Sequence, residues 1–221
     1  MNLDEMVVDL ELFDPVELLR DAWYAARHGR ITASRFGDLM KSGREKDAVF
    51  TQTGYAYLRR CAAERLGSWY SISAKSMDWG NEHEQEAIDE YSKRFDVEVE
   101  SCRYRYFQYN EDIGGTPDGL VFDNGAIEVK CPFDPAVHIN TILTNEVPDE
   151  YEWQVHGHML NTGRKYVDFC SFDPRIPASN PARLWVIRVM RDESKIAKLQ
   201  ERLLLAAETV KAMVAQVNEL A

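Results

Sequence analysis

The spacing of apolar and polar positions predicts helices alternating with strands. Pro15 suits the first turn of a helix running to about residue 28, with Gly29 just past its end. Ile31-Thr32-Ala33-Ser34 leads into a short helix over residues 35–40, for which Ser34 or Thr32 is the cap. Residues 41–46 read as a polar, glycine-containing loop. A helix is expected over about residues 53–66, ending at Gly67, and a long Glu-rich one over 78–95. Residues 97–107 alternate as one or two strands do. A helix over 149–160, stopped by Gly163, precedes a buried strand over 166–172, and 184–190 forms another. From Ser194 onward, Ile196, Leu199, Leu203, Val210, Met213, Val217 and Leu220 make one helical stripe. Such a stripe packs on a core or, failing that, forms a seam for a partner. No repeat or low-complexity linker interrupts the pattern. The chain therefore reads as one domain, 1–221, with an acidic N-terminal extension over 1–19 and a C-terminal amphipathic helix over 194–221.

Composition adds little to this picture and excludes little. The 221 residues are 45% hydrophobic and 29% charged, the balance of a globular protein able to build a core. No apolar run reaches membrane-spanning length, and the acidic opening MNLDEMVVDLELFDP argues against a transit peptide, so a cytoplasmic protein is expected. Cys61, Cys102, Cys131 and Cys170 are widely spaced, which suits reduced thiols. The net charge of −11 speaks against a polyanionic partner, but its distribution does not. Residues 1–19 carry six acids and no base, whereas residues 20–46 carry seven bases against three acids, a local +4. A basic face on an acidic body suits an enzyme that grips a polyanion and lets it move.

The chemistry concentrates in GGTPDGLVFDNGAIEVK, residues 114–130. Asp118, Glu128 and Lys130 stand around a hairpin that is otherwise largely apolar. A two-residue turn at Asn124-Gly125 would leave Asp118 and Glu128 on opposite faces. A three-residue loop, Asp123-Asn124-Gly125, pairs Phe122 with Ala126, Leu120 with Glu128 and Asp118 with Lys130. Gly125 would then hold the left-handed bulge conformation. All three charged groups project from one face, roughly 5–8 Å apart. We adopt the three-residue loop. Two carboxylates at that distance repel unless a cation lies between them, and hard oxygen donors suit Mg²⁺. A divalent ion makes its water a better acid, and Lys130 beside it can orient or deprotonate that water or offset charge on a phosphate. The alternative is a surface turn with solvated charges.

The motif order separates these readings. Pro117-Asp118 followed by Glu128-Val129-Lys130 resembles the PD-(D/E)xK motif of restriction-endonuclease-like nucleases. Arg27-His28-Gly29-Arg30-Ile31-Thr32-Ala33-Ser34, Trp79-Gly80-Asn81-Glu82-His83-Glu84, Pro117-Asp118-Gly119, Glu128-Val129-Lys130-Cys131-Pro132-Phe133 and Gln154-Val155-His156 occur in the order of the phage lambda exonuclease and YqaJ-type viral recombinase family. The resemblance covers about residues 20–190. It implies an α/β fold with a restriction-endonuclease-like core, a central mixed sheet flanked by helices. It implies Asp118, Glu128 and the Val129 carbonyl as metal ligands, Glu84 as a carboxylate for a second ion, and Lys130 as the catalytic lysine. Gln154 completes that site. Arg27, Ser34 and Lys75 match positions that bind a 5′-terminal phosphate.

The activity so implied is Mg²⁺-dependent 5′→3′ digestion of one strand of linear duplex DNA, with Mn²⁺ as a substitute ion. The 3′ overhang left behind would serve recombination in a phage or prophage setting. A homotrimeric ring and a single-strand annealing protein as partner belong to the same implication. The alternatives are a non-catalytic DNA-binding or annealing module, a PD-(D/E)xK endonuclease, or a Cas4-like nuclease. The last needs a cysteine cluster that the scattered cysteines do not provide. Two local arguments accompany the resemblance. On a helix Glu84 shares its face with Gly80 and Ile88, not with Glu82 or Glu86. Gln154 shares a face with His158, whereas His156 and His158 do not face each other, so HGH is not expected to be a metal pair.

Overall fold

The computed structural model describes residues 14–43, 48–69 and 75–221, the side chains of 75–77 apart. Residues 1–13 of the acidic extension and 44–46 of the expected loop lie outside this set. The first helix, α1 (Pro15–Arg27), has Pro15 in its first turn, and the Asp14 carboxylate accepts the Val16 N–H at 2.9 Å. Residues 15–19 thus belong to the helix that Pro15 predicts. Gly29 follows at φ +69°, and its carbonyl accepts from Arg65 Nε at 2.7 Å. A Cβ there would sit 2.8 Å from Arg65 Cγ, so both the backbone angle and the close approach require glycine.

Next come β1 (Ile31–Thr32), a 3-10 turn (Ala33–Arg35) and α2 (Phe36–Met40). Neither expected side-chain cap forms: Ser34 lies inside the 3-10 turn, and Thr32 uses its N–H and hydroxyl on the Tyr57 phenol. Helix α3 (Gln52–Arg65) is capped by the Thr51 hydroxyl, and α4 (Lys75–Phe95) is the long Glu-rich helix.

Two sheets follow. Strand β3 (Phe107–Asn110) pairs antiparallel with β4 (Ile113–Gly115), which pairs parallel with β1. The larger sheet has the order β2 (Val99–Ser101), β5 (Gly119–Val121), β6 (Gly125–Lys130), β7 (Tyr166–Phe172), β8 (Leu184–Met190), with only β6–β7 parallel. A parallel pair needs a crossover, and α5 (Pro135–Thr144) and α6 (Asp149–Thr162) supply it. Helix α5 carries its own start signal, an Asp134 cap followed by Pro135.

Side-chain alternation sorts the five-stranded sheet between two helices. Val121, Ile127, Val129 and Cys170 pack with Ala87, Ile88 and Tyr91 of α4. Leu120, Ala126, Val167 and Phe169 pack with Val155 and Met159 of α6. The last helix, α7 (Glu193–Leu220), buries Ile196, Leu199, Leu203 and Val210, then emerges until Val217 and Leu220 are exposed. All four cysteines are free and buried. The result is the expected α/β architecture, mixed sheets flanked by helices.

The hairpin itself departs from expectation. Observed pairs are Leu120–Ala126 and Val121–Gly125, so the connecting residues are Phe122, Asp123 and Asn124. The left-handed residue is Phe122, at φ +50°, not Gly125. Gly125 is needed for another reason: a Cβ there would lie 2.3 Å from the Tyr166 ring, which β7 lays against it. The pairing is therefore slipped by two residues from the predicted one. Side chains alternate with period two, so this slip exchanges partners but leaves every residue on its predicted face.

Candidate active site

Asp118 immediately precedes β5, and Glu128 and Lys130 lie toward the end of β6 on the α6 side of the sheet. Continuing the Leu120–Ala126 pairing one step along that face sets Asp118 opposite Glu128. Asp118 Oδ2 accepts the Val129 backbone N–H at 2.6 Å, which ties the two strands at this point. The Glu128 carboxylate is 1% exposed. Its Oε1 accepts from Lys130 Nζ and, at 2.5 Å, from Gln154 Nε2; its Oε2 meets His158 Nε2 at 2.7 Å. Gln154 and His158 lie one turn apart on α6, so both reach the same carboxylate. Lys130 Nζ also stands 5.1 Å from the Tyr151 ring centroid.

The electrostatics follow from this packing. Burial, then the charges of Glu128 and Glu84, pushes the Asp118 carboxyl well above its usual range. Burial also works against ionised Glu128, but Lys130 and His158 outweigh it and hold that carboxyl at about 2. Burial pulls the Lys130 ammonium down, while Glu128 and Asp118 more than compensate and keep its pKa raised. Lys130 is therefore a firmly protonated donor in this state. On α4, Glu84 is half-buried between exposed Glu82 and exposed Glu86. Its carboxyl is raised by burial and by Glu128, with Lys130 and Arg103 acting the other way. The ionised Glu128 thus raises the proton affinity of both Asp118 and Glu84, a concentration of negative charge that favours a cation.

The donor set fits Mg²⁺ in kind: Asp118, Glu128 and the carbonyl of intervening Val129 offer hard oxygens, and Mg²⁺ accepts few protein ligands because it keeps several waters. Among the described residues no three Asp, Glu, His or Cys side chains converge on one point that could hold an ion. Glu128 is instead occupied by Lys130, Gln154 and His158.

A second feature lies at the end of α1. A cleft of about 490 Å³ is lined by Arg27, His28, Ser34, Arg60 and Trp69, among others. The Arg27 guanidinium lies 4.1 Å from the Trp23 ring centroid, and no described carboxylate pairs with it. Burial lowers its pKa, while the surrounding tyrosines and the Glu64 carboxylate act the other way. Ser34 is exposed on the cleft wall. Lys75 opens α4, and its side chain lies outside the described residues. The structure thus brings together Asp118, Glu128, Lys130 and Gln154, with Glu84 close enough for its charge to be felt, and places Arg27 and Ser34 in one separate cleft.

Residues 22–165 match the family model for the YqaJ-like viral recombinase domain. The chain belongs to that family. An alkaline exonuclease, LHK-Exo from Laribacter hongkongensis, is 30% identical and superposes with a TM-score of 0.80, over 90% of this chain and 96% of that one. The same enzyme in complex with dAMP aligns over 91% and 100% at the same identity and TM-score. A phage-related exonuclease from Haemophilus somnus 129PT, 19% identical over 87% of this chain and 98% of the other, shares the fold with a TM-score of 0.72. No curated protein gives a match.

Asp118, Glu128 and Lys130 stand out in the sequence, but two residues that support this geometry were not assigned from it. His158 grips Glu128, and its four-residue spacing from Gln154 was the available signal. Trp23, beneath Arg27, had no signal that distinguished it from an ordinary helix aromatic.

Proposed function

We propose that this YqaJ-like protein is a Mg²⁺-dependent 5′→3′ exonuclease on linear duplex DNA, leaving a 3′ single-stranded overhang for recombination. The observation that carries the reading is the opposition of Asp118 and Glu128 on one sheet face, with protonated Lys130 and the Gln154 amide on the same carboxylate. Asp118, Glu128 and the Val129 carbonyl would hold one ion, and Glu84 would help hold a second; Mn²⁺ would substitute. When bound, the metal supplies Lewis acidity toward the phosphodiester.

The rest is the work of this chain's own groups. The Lys130 ammonium, on the same sheet face as Glu128, would offset charge building on the phosphate. Gln154 holds a water or phosphate oxygen without adding negative charge. Arg27 and Ser34, with Lys75, would grip the 5′-terminal phosphate, since a guanidinium opening into a cleft beside a hydroxyl suits a phosphate fork. The LHK-Exo complex with dAMP supports nucleotide recognition in a relative. A homotrimeric ring threading DNA and a single-strand annealing partner are proposed from the family resemblance. Among the described residues no helix is long and apolar enough to cross a membrane, which agrees with a cytoplasmic setting in a phage-bearing host.

An end-labelled linear duplex, incubated with Mg²⁺ or with chelator, tests the proposal. Label should leave the 5′ end as mononucleotide only with metal present. Equal outcomes with and without metal would remove the enzyme reading in favour of an annealing module, and internal cuts would favour an endonuclease.

A further inference from the structure

The cleft around Arg27 has an aromatic rim for which phosphate binding has no use. Trp69, shortly after α3, is 71% exposed. Tryptophan ordinarily contributes by burying its large ring, so an indole this open forfeits most of that benefit. It is nonetheless ordered against a partner: its ring stacks on His28, with centroids 4.4 Å apart and planes 24° from parallel. His28 directly follows Arg27 and ends α1, and all three residues line the same cleft. One indole face rests on His28, and the exposed area belongs to the remainder. Tyr24, half-exposed, adds a second ring to the lining.

An open aromatic surface held parallel to an imidazole, beside arginines and a hydroxyl, combines the two devices that bind unpaired nucleotides. Cationic groups take the phosphate, and a π-face takes the base whatever its identity. Because His28 already holds the indole in place, little side-chain freedom is lost when a base stacks on it. We infer that Trp69 is a stacking platform for the base of the terminal nucleotide, so that the cleft senses a base as well as a phosphate at the DNA end. This rests on the reading of the cleft as the 5′-end site.

Fluorescence anisotropy in chelator, with the full chain and no cleavage, tests it. The probes are 5′-phosphorylated duplexes whose terminal nucleotide is unpaired and carries either a normal base or an abasic residue, together with a 5′-hydroxyl control. The wild type should bind the abasic end about five-fold or more weakly than the base-bearing end. Trp69→Ala should erase that difference, Trp69→Phe should keep most of it, and all three proteins should still prefer phosphate to hydroxyl. Equal wild-type affinity for both ends, or a difference that survives in Trp69→Ala, overturns the platform while the phosphate preference stands. If the wild type ignores the phosphate, the end-site reading falls and the platform with it.

Discussion

The Trp23 indole N–H donates to the Thr116 hydroxyl at 2.8 Å, two residues before Asp118, while the same ring carries Arg27 on its face. One side chain thus ties the cleft at the end of α1 to the hairpin that holds the carboxylates. A phosphate gripped by Arg27 would be held at a set distance from Asp118. Trp23→Phe keeps a ring under Arg27 but removes the hydrogen bond, worth about 1 kcal/mol. Cleavage should slow by about five-fold on 5′-phosphorylated ends, with the preference for phosphate over hydroxyl retained. Arg27→Ala should instead erase the preference. Initial rates on the two kinds of end separate these outcomes, and identical behaviour of the two variants would break the link.

Lys130→Ala should reduce cleavage on the order of 10²-fold or more, because it deletes a charge aimed at the reacting phosphate. DNA affinity in chelator should change little. Lost affinity alongside lost cleavage would make Lys130 a structural partner of Glu128.

His158→Ala leaves the buried Glu128 carboxylate with one donor fewer, a cost of about 1–3 kcal/mol in the metal-free protein. Thermal melting in chelator should show it, and His158→Gln should recover part of the loss by restoring a donor. Calorimetric titration with Mg²⁺ gives an independent readout: the alanine variant should bind the ion more weakly, since Glu128 is no longer held in register. Unchanged melting and unchanged Mg²⁺ binding would show that the contact contributes nothing.

Asp118 makes stability depend on pH. A carboxyl whose proton is held more tightly in the fold than in the unfolded chain contributes stability that is fully present below the ordinary carboxylate range. That contribution drains as pH rises toward the raised folded value. Glu128, held at about 2, has the opposite sign, and its contribution is lost only as pH falls from the ordinary range toward that value. In chelator, Asp118→Asn should therefore gain stability relative to the wild type as pH rises from the ordinary carboxylate range toward the raised folded value. Mg²⁺ should raise the wild-type melting temperature and leave the variant nearly unchanged. A difference in melting between the two that stays constant over that pH range would contradict the charge cluster.

Much of this was legible locally. Proline and glycine bracket α1, a buried apolar run marks β7, and a 3.6-residue stripe marks α7, because such signals depend on residues near in sequence. The shared face of Asp118, Glu128 and Lys130 was legible for the same reason. Period-two alternation survives a two-residue slip, so the argument held although the loop was placed one residue late. The slip itself could not be read, since the packing of Tyr166 from β7 selects the position of Gly125. Strands β1 and β4 were also not legible, being too short to show a period.

By itself, then, the sequence determined where α1, β7 and α7 form and which side of each hairpin strand its residues take, since these are fixed by local pattern and backbone geometry within a few positions. Tertiary structure alone decided that His158 and Gln154 close on Glu128, that Trp23 joins Thr116, and that Trp69 lies on His28. Each of those contacts joins segments far apart along the chain, and only the packing of helices on the sheets sets such distances.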